Sequence, residues 1–302
     1  MTIRRWAAWC VVMLTMAMTS ACAAKMQPHE GLFLDEMLET PQRVMWVAAH
    51  PDDESFAGSI LAKTAYKAGG ELYFFVLTHG DGGACHIPGG CNPDLPTVRG
   101  KELAEVARLY GATLQHEYYF NAPLPVESIP DRHEIAKVWM EQGDPTPKIA
   151  AAIRKFKPTV ILALSPDHGG TGHPEHQLAC RFAMAGVRMA ADGSASIPGE
   201  AYRVPNAYYV LNKIGLSRMI GMDDPEIPNE NFKNVQICES DGTMTCQRYA
   251  IENTKPHHSQ NADMTGMRLV TSGMWKTYLY KVDPFTEVKD PMEPARSIWR
   301  KD

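Results

Sequence analysis

The sequence has no excess of basic residues, since 30 lysines and arginines stand against 35 aspartates and glutamates, a formal net charge of -5. It also has no dense stretch of lysine and arginine. Because phosphate backbones are bound chiefly through basic side chains, we do not expect nucleic acid as a partner. The chain has no internal repeat and no low-complexity tract, which excludes a solenoid and an extended disordered array.

What is present is the composition of an ordinary folded protein. The chain has 302 residues, of which 44% are hydrophobic and 22% charged. This length and composition suffice for one large hydrophobic core. We therefore expect a single α/β domain over residues 24–302, preceded by a short segment of different character.

The first two dozen residues have no apolar run long enough for a membrane span. The run over residues 6–18 follows a pair of arginines and precedes a cluster of small residues. This pattern predicts a bacterial export signal over residues 1–23 and a mature protein in the periplasm or cell envelope. Two cleavage positions stay open: before Cys22, with a lipid anchor on that cysteine as the only membrane attachment, or after Ala23.

Export determines how the cysteines are interpreted, because disulfides persist in oxidising compartments. Cys85 and Cys91 flank a segment rich in glycine and proline, and Cys238 and Cys246 flank a predicted hairpin tip. Both pairs predict local disulfides, since their spacings are not those of zinc half-sites. Cys180 falls in a predicted helix and is expected to be buried.

Short apolar runs alternate with helical patterns through most of the body. The predicted strands cover residues 43–49, 71–78, 115–120 and 158–164, and the predicted helices cover 55–62, 98–110, 146–156 and a segment from about 173. Repeated strand-helix units predict a Rossmann-like, mostly parallel sheet with helices on both faces. Beyond residue 191 the pattern is less regular, with a strand at 206–211 and a helix at 249–255, so we expect an irregular C-terminal elaboration.

The first chemical motif is the sequence Ala-His-Pro-Asp-Asp-Glu over residues 49–54. It places the imidazole of His50 and the carboxylates of Asp52 and Asp53 on one turn. The turn follows the first predicted strand, and the carboxyl ends of such strands are where open α/β sheets bind ligands. The alternative interpretation is that the acids and Ser55 only cap the following helix.

The second motif is Gly-His-Pro-Glu-His over residues 172–176, after another buried strand. Histidines three apart are neighbours on one helix face, so His173 and His176 would point the same way. If the sheet brings the motifs together, His50, Asp53 and His176 form two nitrogens and one carboxylate. That ligand set is typical of catalytic zinc with a position open for water. Surface histidines at a helix start are the alternative.

These two motifs resemble those of the PIG-L/LmbE-like zinc-dependent de-N-acetylases. That family contains N-acetylglucosaminyl-phosphatidylinositol deacetylases and deacetylases of the mycothiol pathway. Weaker matches follow in the same order at residues 77–83, 99–103 and 257–260. The resemblance covers roughly residues 43–260, and its first motif is highly specific.

The resemblance implies a role for each matched residue. His50, Asp53 and His176 would hold one Zn²⁺ per chain, with Fe²⁺ or another divalent metal as an alternative. Asp52 would be the general base, and a protonated His173 would stabilise the tetrahedral intermediate.

Three further residues near the motifs have less defined roles. Arg99 and His257 would contact the substrate; the alternatives are that Arg99 pairs with Glu102 on a solvated face and that His257 only packs. Glu175 stands where the family usually has aspartate, and this leaves the ligands intact but changes the group beside them.

The sequence therefore predicts an exported zinc-dependent hydrolase that removes an N-acyl group, acetyl first of all. Its partner would be a small-molecule or glycan substrate, an amino sugar or related amide. Two other classes stay open: an iron(II) oxygenase built on a two-histidine, one-carboxylate triad, and a non-catalytic envelope lipoprotein that binds glycan. Fold does not determine the substrate.

Overall fold

The computed structural model describes residues 34–211, 230–233, 246–260 and 276–297. The chain divides into two units, Met1–Leu32 and Phe33–Asp302, and all described residues belong to the second unit. The predicted export signal, with Cys22 and Ala23, lies outside the described residues. Among the helices that are described, none is both long and apolar enough to cross a bilayer.

A seven-stranded sheet forms the centre of the described part, with the strand order β3-β2-β1-β4-β5-β7-β6. The first five strands of this order are parallel, and β7 pairs antiparallel with both β5 and β6. The strands are β1 Arg43–Ala48, β2 Glu71–Thr78, β3 Thr113–Tyr119, β4 Val160–Leu164, β5 Asn206–Val210, β6 Glu230–Lys233 and β7 Lys276–Val282.

Helices cover both faces of this sheet. They are α1 Leu34–Met37, α2 Gly58–Ala62, α3 Leu95–Tyr110, α4 Arg132–Gln142, α5 Pro145–Phe156, α6 Gly169–Gly172, α7 Pro174–Ala191 and α8 Cys246–Asn253. Shorter 3₁₀ turns occupy Asp53–Ala57, Val126–Ser128 and His258–Gln260, and a π turn occupies Lys63–Lys67.

The two faces of the sheet bury separate apolar clusters. Along β1, Met45 and Val47 point to one cluster, whereas Val44 and Trp46 point to the other. This alternation follows from the two-residue period of a strand. Because helices pack on both sides, the central strands carry apolar residues on both faces, as in other parallel sheets. The predicted Rossmann-like α/β fold is confirmed.

The position of β1 next to β4 determines where the functional motifs meet. The two strands pair in parallel from Val44 with Val160 to Val47 with Ala163. The chain continues from β1 to β2 on one side and from β4 to β5 on the other, so β1 and β4 form the switch point of the sheet. A crevice opens at the carboxyl ends of such strands. The 49–54 motif follows β1, and the 172–176 motif follows the short helix after β4.

Some elements differ from the sequence prediction. The helix predicted at 98–110 begins at Leu95, because the Asp94 carboxylate caps it by accepting a hydrogen bond from the Thr97 N–H. It ends at Gly111, whose φ of 66° is a left-handed cap as expected. The irregular C-terminal part adds the antiparallel strands β6 and β7 to the sheet edge, and neither was predicted.

The cysteine predictions have distinct outcomes. The Cys85–Cys91 disulfide is confirmed, and Cys180 is a buried free thiol on α7. Cys246 is disulfide-bonded, and its predicted partner Cys238 lies outside the described residues.

Candidate active site

The turn after β1 is held by the side chain of Asp53. Its Oδ2 accepts hydrogen bonds from the backbone N–H groups of Ala49 and His50, at 3.0 and 2.9 Å. Asp52, the residue before Asp53, has a φ of 112°, a left-handed conformation that is costly for a residue with a Cβ. The side chain of Asp52 makes no capping hydrogen bond to the helical turn that follows. The cap-only interpretation therefore does not describe Asp52.

The second motif forms the first turn of α7. His173 is the residue before the helix, and its Nδ1 accepts a hydrogen bond from the Glu175 N–H at 3.3 Å. Pro174 begins the helix. At this position an N–H group has no partner within the helix, so the missing N–H of proline costs no hydrogen bond. The His50 ring lies 4.8 Å from that of His173 and 4.9 Å from that of His176, centroid to centroid. The sheet thus brings the two motifs together as predicted.

The hydrogen bonds of His50 and His176 determine which ring nitrogens carry lone pairs. Nδ1 of His176 lies 2.7 Å from the carbonyl oxygen of Gly169, which can only accept, so this nitrogen carries the hydrogen of the neutral ring. In the same way, Nε2 of His50 lies 2.5 Å from the Glu175 carboxylate. When both rings are neutral, the lone pairs are therefore on Nδ1 of His50 and Nε2 of His176.

These two lone-pair nitrogens face each other at 3.0 Å, and Asp53 Oδ1 lies 3.0 Å from Nε2 of His176. Three electron-pair donors thus converge on one point. A divalent metal ion satisfies such a set, and outer hydrogen bonds to a carboxylate and a carbonyl are the usual means of orienting histidine ligands. The residues present fit a metal centre.

The site offers a second candidate set of metal ligands, because ligand atoms of His50, His173 and His176 lie within 4.8 Å of one another. His173 differs from the other two, since its Nδ1 already accepts the Glu175 N–H. The remaining Nε2 of a neutral ring then carries hydrogen and cannot bind metal. This geometry favours Asp53 as the third ligand and leaves His173 as a hydrogen-bond donor.

The electrostatics of the ligands follow from burial and pairing. Burial lowers the pKa of His50, but the hydrogen bonds that His50 donates to the carboxylates of Asp53 and Glu175 outweigh it and raise the pKa to about 10. Burial raises the pKa of Asp53, but its interactions with His176 and His50 hold it well below the ordinary value. Metal ions compete with protons for such ligands, so binding would displace the His50 proton.

The charge of His173 differs from the sequence expectation. Burial, together with His50 and His176, holds the pKa of His173 well below its ordinary value. These effects favour a neutral ring, whereas the sequence expectation was a protonated one. A neutral His173 still offers its Nε2–H as a hydrogen-bond donor.

Asp52 is the candidate proton carrier of the site. Burial and the charge of Asp53 raise the pKa of Asp52 to about 7. Its Oδ2 accepts a hydrogen bond from Gln260 Nε2 at 2.8 Å, and its backbone N–H donates to Glu54 Oε2 at 3.1 Å. A carboxyl group with a pKa near neutrality is suited to taking and returning a proton.

A cavity of about 560 Å³ opens above these residues. Its lining includes apolar side chains, namely Phe56, Ala122, Leu124 and Ile129. It also includes polar side chains, namely His50, Asp52, Asp53, Arg99, His173, His176 and Gln260. The cavity can therefore hold a ligand that combines a polar reacting group with an apolar portion.

Arg99 and His257 were the predicted substrate contacts, and the structure treats them differently. Arg99 lines the cavity, and a Cβ on Gly80 or Gly83 would come within 2.6 Å of its guanidinium. It is buried rather than on a solvated face, and Glu102 instead accepts hydrogen bonds from Ser259.

His257 does not line the cavity. Its side chain is fully buried, and its Nε2 lies 2.7 Å from Glu54 Oε1. This burial agrees with the alternative that His257 only packs, and a substrate contact by this residue stays a prediction.

Three site residues had no role in the sequence prediction. Asn121 donates to Glu175 Oε2 at 2.7 Å and accepts the Gly82 N–H at 2.7 Å. His86, in the loop closed by the disulfide, and Gln260 both line the cavity. Asn121 follows β3, so the rule that ligands lie at carboxyl ends of strands could have pointed to it. Gln260 lies in the 257–260 match, where only the histidine was considered.

The fold and the cluster define a Rossmann-like α/β protein with a candidate mononuclear metal centre at the switch point of its sheet. Residues 45–187 match the family described as "PIG-L: GlcNAc-PI de-N-acetylase". This match covers 143 of the 302 residues and supports the resemblance seen in the motifs.

Comparison with individual proteins gives more distant likenesses. The chain is 28% identical over 231 residues to a 1D-myo-inositol 2-acetamido-2-deoxy-alpha-D-glucopyranoside deacetylase of Kineococcus radiotolerans, an alignment covering 64% of this chain and 61% of that relative. This chain thus spans less than two thirds of that relative's length.

Solved structures show the same fold at lower identity. The N,N'-diacetylchitobiose deacetylase of Pyrococcus horikoshii is 16% identical with a TM-score of 0.53, covering 85% of this chain and 93% of its own. The 4-carboxy-2-hydroxymuconate hydratase of Pseudomonas putida KT2440 is also 16% identical, with a TM-score of 0.50, covering 80% and 97%. A deacetylase and a hydratase share the architecture, so the fold alone does not determine the reaction.

Proposed function

We propose that the protein is a zinc-dependent hydrolase that removes an N-acyl group, acetyl first of all, from an amino sugar or related amide. The observation that carries this proposal is the convergence of His50 Nδ1, His176 Nε2 and Asp53 Oδ1 beside the carboxyl group of Asp52. The name of the relative from Kineococcus radiotolerans, a deacetylase of an acetamido sugar, supports the same reaction class.

Each residue has a defined part in hydrolysis. Bound zinc would lower the pKa of a water molecule to about 7 and polarise the amide oxygen. Asp52 would take a proton from this water as its oxygen bonds to the acyl carbon. Asp52 then returns the proton to the amide nitrogen as the C–N bond breaks. The products are a carboxylic acid and a free amine.

His173 would act on the acyl oxygen. Because its ring is neutral and its Nδ1 is occupied, Nε2–H is the group that can donate to that oxygen as negative charge develops. Donors aimed at a developing oxyanion contribute about 10²–10³ in kcat in other hydrolases.

The test is amine release by the purified, zinc-loaded protein from a panel of N-acetylated amino sugars. Asp52→Asn should retain zinc and lose nearly all activity, because amide nitrogen cannot take the proton. The matched control is Asp81→Asn, at an exposed aspartate on the neighbouring loop, and this variant should keep its activity. Full activity in Asp52→Asn would sink the mechanism. Oxygen uptake by the iron-loaded protein without amine release would support the oxygenase alternative.

We also propose that the protein is exported, on the basis of the sequence pattern of residues 1–23. Intact mass measured on protein purified from a bacterial envelope fraction distinguishes the two cleavage positions. A diacylglycerol-modified N-terminal Cys22 supports the lipid anchor, and an N-terminal Ala24 supports cleavage after Ala23. Retention of residues 1–23 in cytoplasmic protein would contradict export.

A further inference from the structure

The amide of Gln260 has a determined orientation and an unused oxygen. Its Nε2 lies 2.8 Å from Asp52 Oδ2 and 2.9 Å from the carbonyl oxygen of Pro51. The carbonyl can only accept, so the nitrogen and not the oxygen of the amide must face these partners. The other atom, Oε1, is buried and has no hydrogen-bond partner among the described residues.

The residue that carries this acceptor forms part of the cavity wall. Gln260 lines the cavity, and only 2% of the residue is exposed to solvent. A buried acceptor without a partner is costly and uncommon in native proteins. Because Gln260 lines the cavity, the missing donor would come from a bound ligand.

Three neighbouring contacts hold Gln260 in place. Ser259 donates from its N–H and its hydroxyl to Glu102, at 2.8 and 2.5 Å, and its carbonyl oxygen accepts the His86 N–H at 2.8 Å. His257, at the start of this turn, bonds to Glu54. The turn is thus attached to α3, to the disulfide-closed loop and to the first motif, so little side-chain entropy remains to be lost on ligand binding.

The distance between Oε1 and Asp52 limits what the ligand group can be. Amide bond lengths put Oε1 about 2.3 Å from Nε2, so Oε1 lies within about 5 Å of Asp52 Oδ2. Under the proposed function, Asp52 returns its proton to the amide nitrogen. The donor that Oε1 of Gln260 can reach is therefore a group on or next to the amide nitrogen.

We propose that Gln260 recognises the N–H of the scissile secondary amide through Oε1, while its Nε2 aims Asp52 at the same nitrogen. This inference rests on the proposed function and adds a residue that selects secondary amides over N-alkylated ones. A site whose buried acceptor is left unpaired by the wrong substrate discriminates by about 10- to 100-fold.

The test compares two substrates in two enzymes. An N-acetylated amino sugar and its N-methyl counterpart are each assayed for kcat and KM with the zinc-loaded full chain and with Gln260→Met, which has similar length and no amide. The inherent reactivity and bulk of the N-methyl group are the same in both enzymes and cancel in the ratio of ratios. We expect the preference for the secondary amide to fall by about 10- to 100-fold in Gln260→Met.

If Gln260 served only to align Asp52, Gln260→Met would lower kcat for both substrates and leave the preference for the secondary amide unchanged. Gln260→Glu keeps an acceptor and should keep the preference while lowering kcat, because its carboxylate repels Asp52. Gln115→Met, a glutamine on β3 bonded to Tyr73, is the matched control and should behave as wild type.

Binding provides a readout that does not depend on turnover. Dissociation constants for the two amides are measured by calorimetry on zinc-loaded Asp52→Asn, with and without Gln260→Met. We expect the same loss of preference. A preference unchanged by Gln260→Met, in an enzyme that hydrolyses the secondary amide, would overturn the role of Gln260 alone. Hydrolysis of neither amide by the wild type would instead overturn the proposed function.

Discussion

The carboxylate of Glu175 lies 2.5 Å from Nε2 of His50 and is fully buried. Two further donors hold it there, the side chain of Asn121 at 2.7 Å and the backbone N–H of Ala122 at 2.6 Å. Glu175 therefore orients His50 from behind, and it is itself held by residues that follow β3. The family usually has aspartate at this position, and the longer side chain of glutamate keeps the hydrogen bond to the metal-ligand residue His50.

Replacement of Glu175 should weaken metal binding without removing a ligand. Glu175→Ala frees His50 to rotate and to lose its lone-pair orientation, and loss of such an outer hydrogen bond costs about 10- to 100-fold in metal affinity. Competition with a chromogenic chelator measures the zinc affinity. Glu105→Ala, which removes an exposed carboxylate from α3, should leave the affinity unchanged. Equal affinity in both variants would contradict the role of Glu175.

A metal-binding measurement distinguishes the role of Asp53 as a metal ligand from the role of His173 as a hydrogen-bond donor. If Asp53 is the third ligand, Asp53→Asn should lower zinc affinity by more than about 100-fold, a larger loss than for an outer hydrogen bond. His173→Ala should bind zinc normally and lose about 10²–10³ in kcat. If His173→Ala instead lost zinc affinity and Asp53→Asn kept it, the metal ligands would be the three histidines His50, His173 and His176.

The C-terminal segment after β7 is attached to the core through Arg181. The guanidinium, 2% exposed as a residue, donates to the carbonyl oxygens of Pro166 and Asp290 and to the carboxylates of Asp167 and Glu293. Its removal leaves the buried carbonyl oxygen of Pro166 without this donor and breaks the bonds to Asp290 and Glu293, so Arg181→Met should lower the free energy of unfolding by about 1–3 kcal/mol.

Urea denaturation measures this loss, and an exposed arginine serves as control. Arg108 pairs with Glu105 on the surface of α3, so Arg108→Met should cost no more than about 1 kcal/mol. Equal losses in the two variants would show that Arg181 is not a specific attachment.

A pair of stacked histidines gives the fold a pH dependence. The rings of His79 and His116 are parallel and 3.7 Å apart, and Nε2 of His116 bonds to the carbonyl oxygen of Thr78. Burial, and to a lesser degree His79, lowers the pKa of His116 to about 4 although the Thr78 bond raises it. Between pH 6.5 and 4 the unfolded chain therefore binds a proton that the folded chain does not.

Stability contributed by His116 should be complete above pH 6.5 and decline as the pH falls towards 4. The slope is at most about one proton, roughly 1.4 kcal/mol per pH unit. Urea denaturation at pH 7, 6 and 5 should give a smaller decline in His116→Phe than in wild type, because phenylalanine stacks without titrating. Parallel declines in the two proteins would contradict the assignment.

The sequence predicts those parts of the fold and site that depend on local pattern. The buried strands β1 and β4 are short apolar runs, and each is followed by a motif whose residues lie close together in the chain. The rule that ligands bind at the carboxyl ends of parallel strands then places His50 and His176 together, as the structure does.

The remaining parts depend on contacts between distant residues and on burial. His257 pairs with Glu54, 203 residues away, and this contact has no signature in the local sequence. The neutral state of His173 follows from its surroundings in the folded chain, which a motif does not show. Strands β6 and β7 pair antiparallel at the sheet edge, outside the repeating units that predict the parallel strands.

The left-handed backbone of Asp52 has a consequence for how this protein can be stabilised. Glycine adopts a φ of 112° without the penalty of a Cβ, so the conformation that aims the acid costs about 1–3 kcal/mol that glycine would recover. Selection for thermal tolerance alone would favour losing the carboxylate at this position. Directed evolution for stability therefore needs an activity screen, or position 52 held constant, since robustness and catalysis are in conflict there.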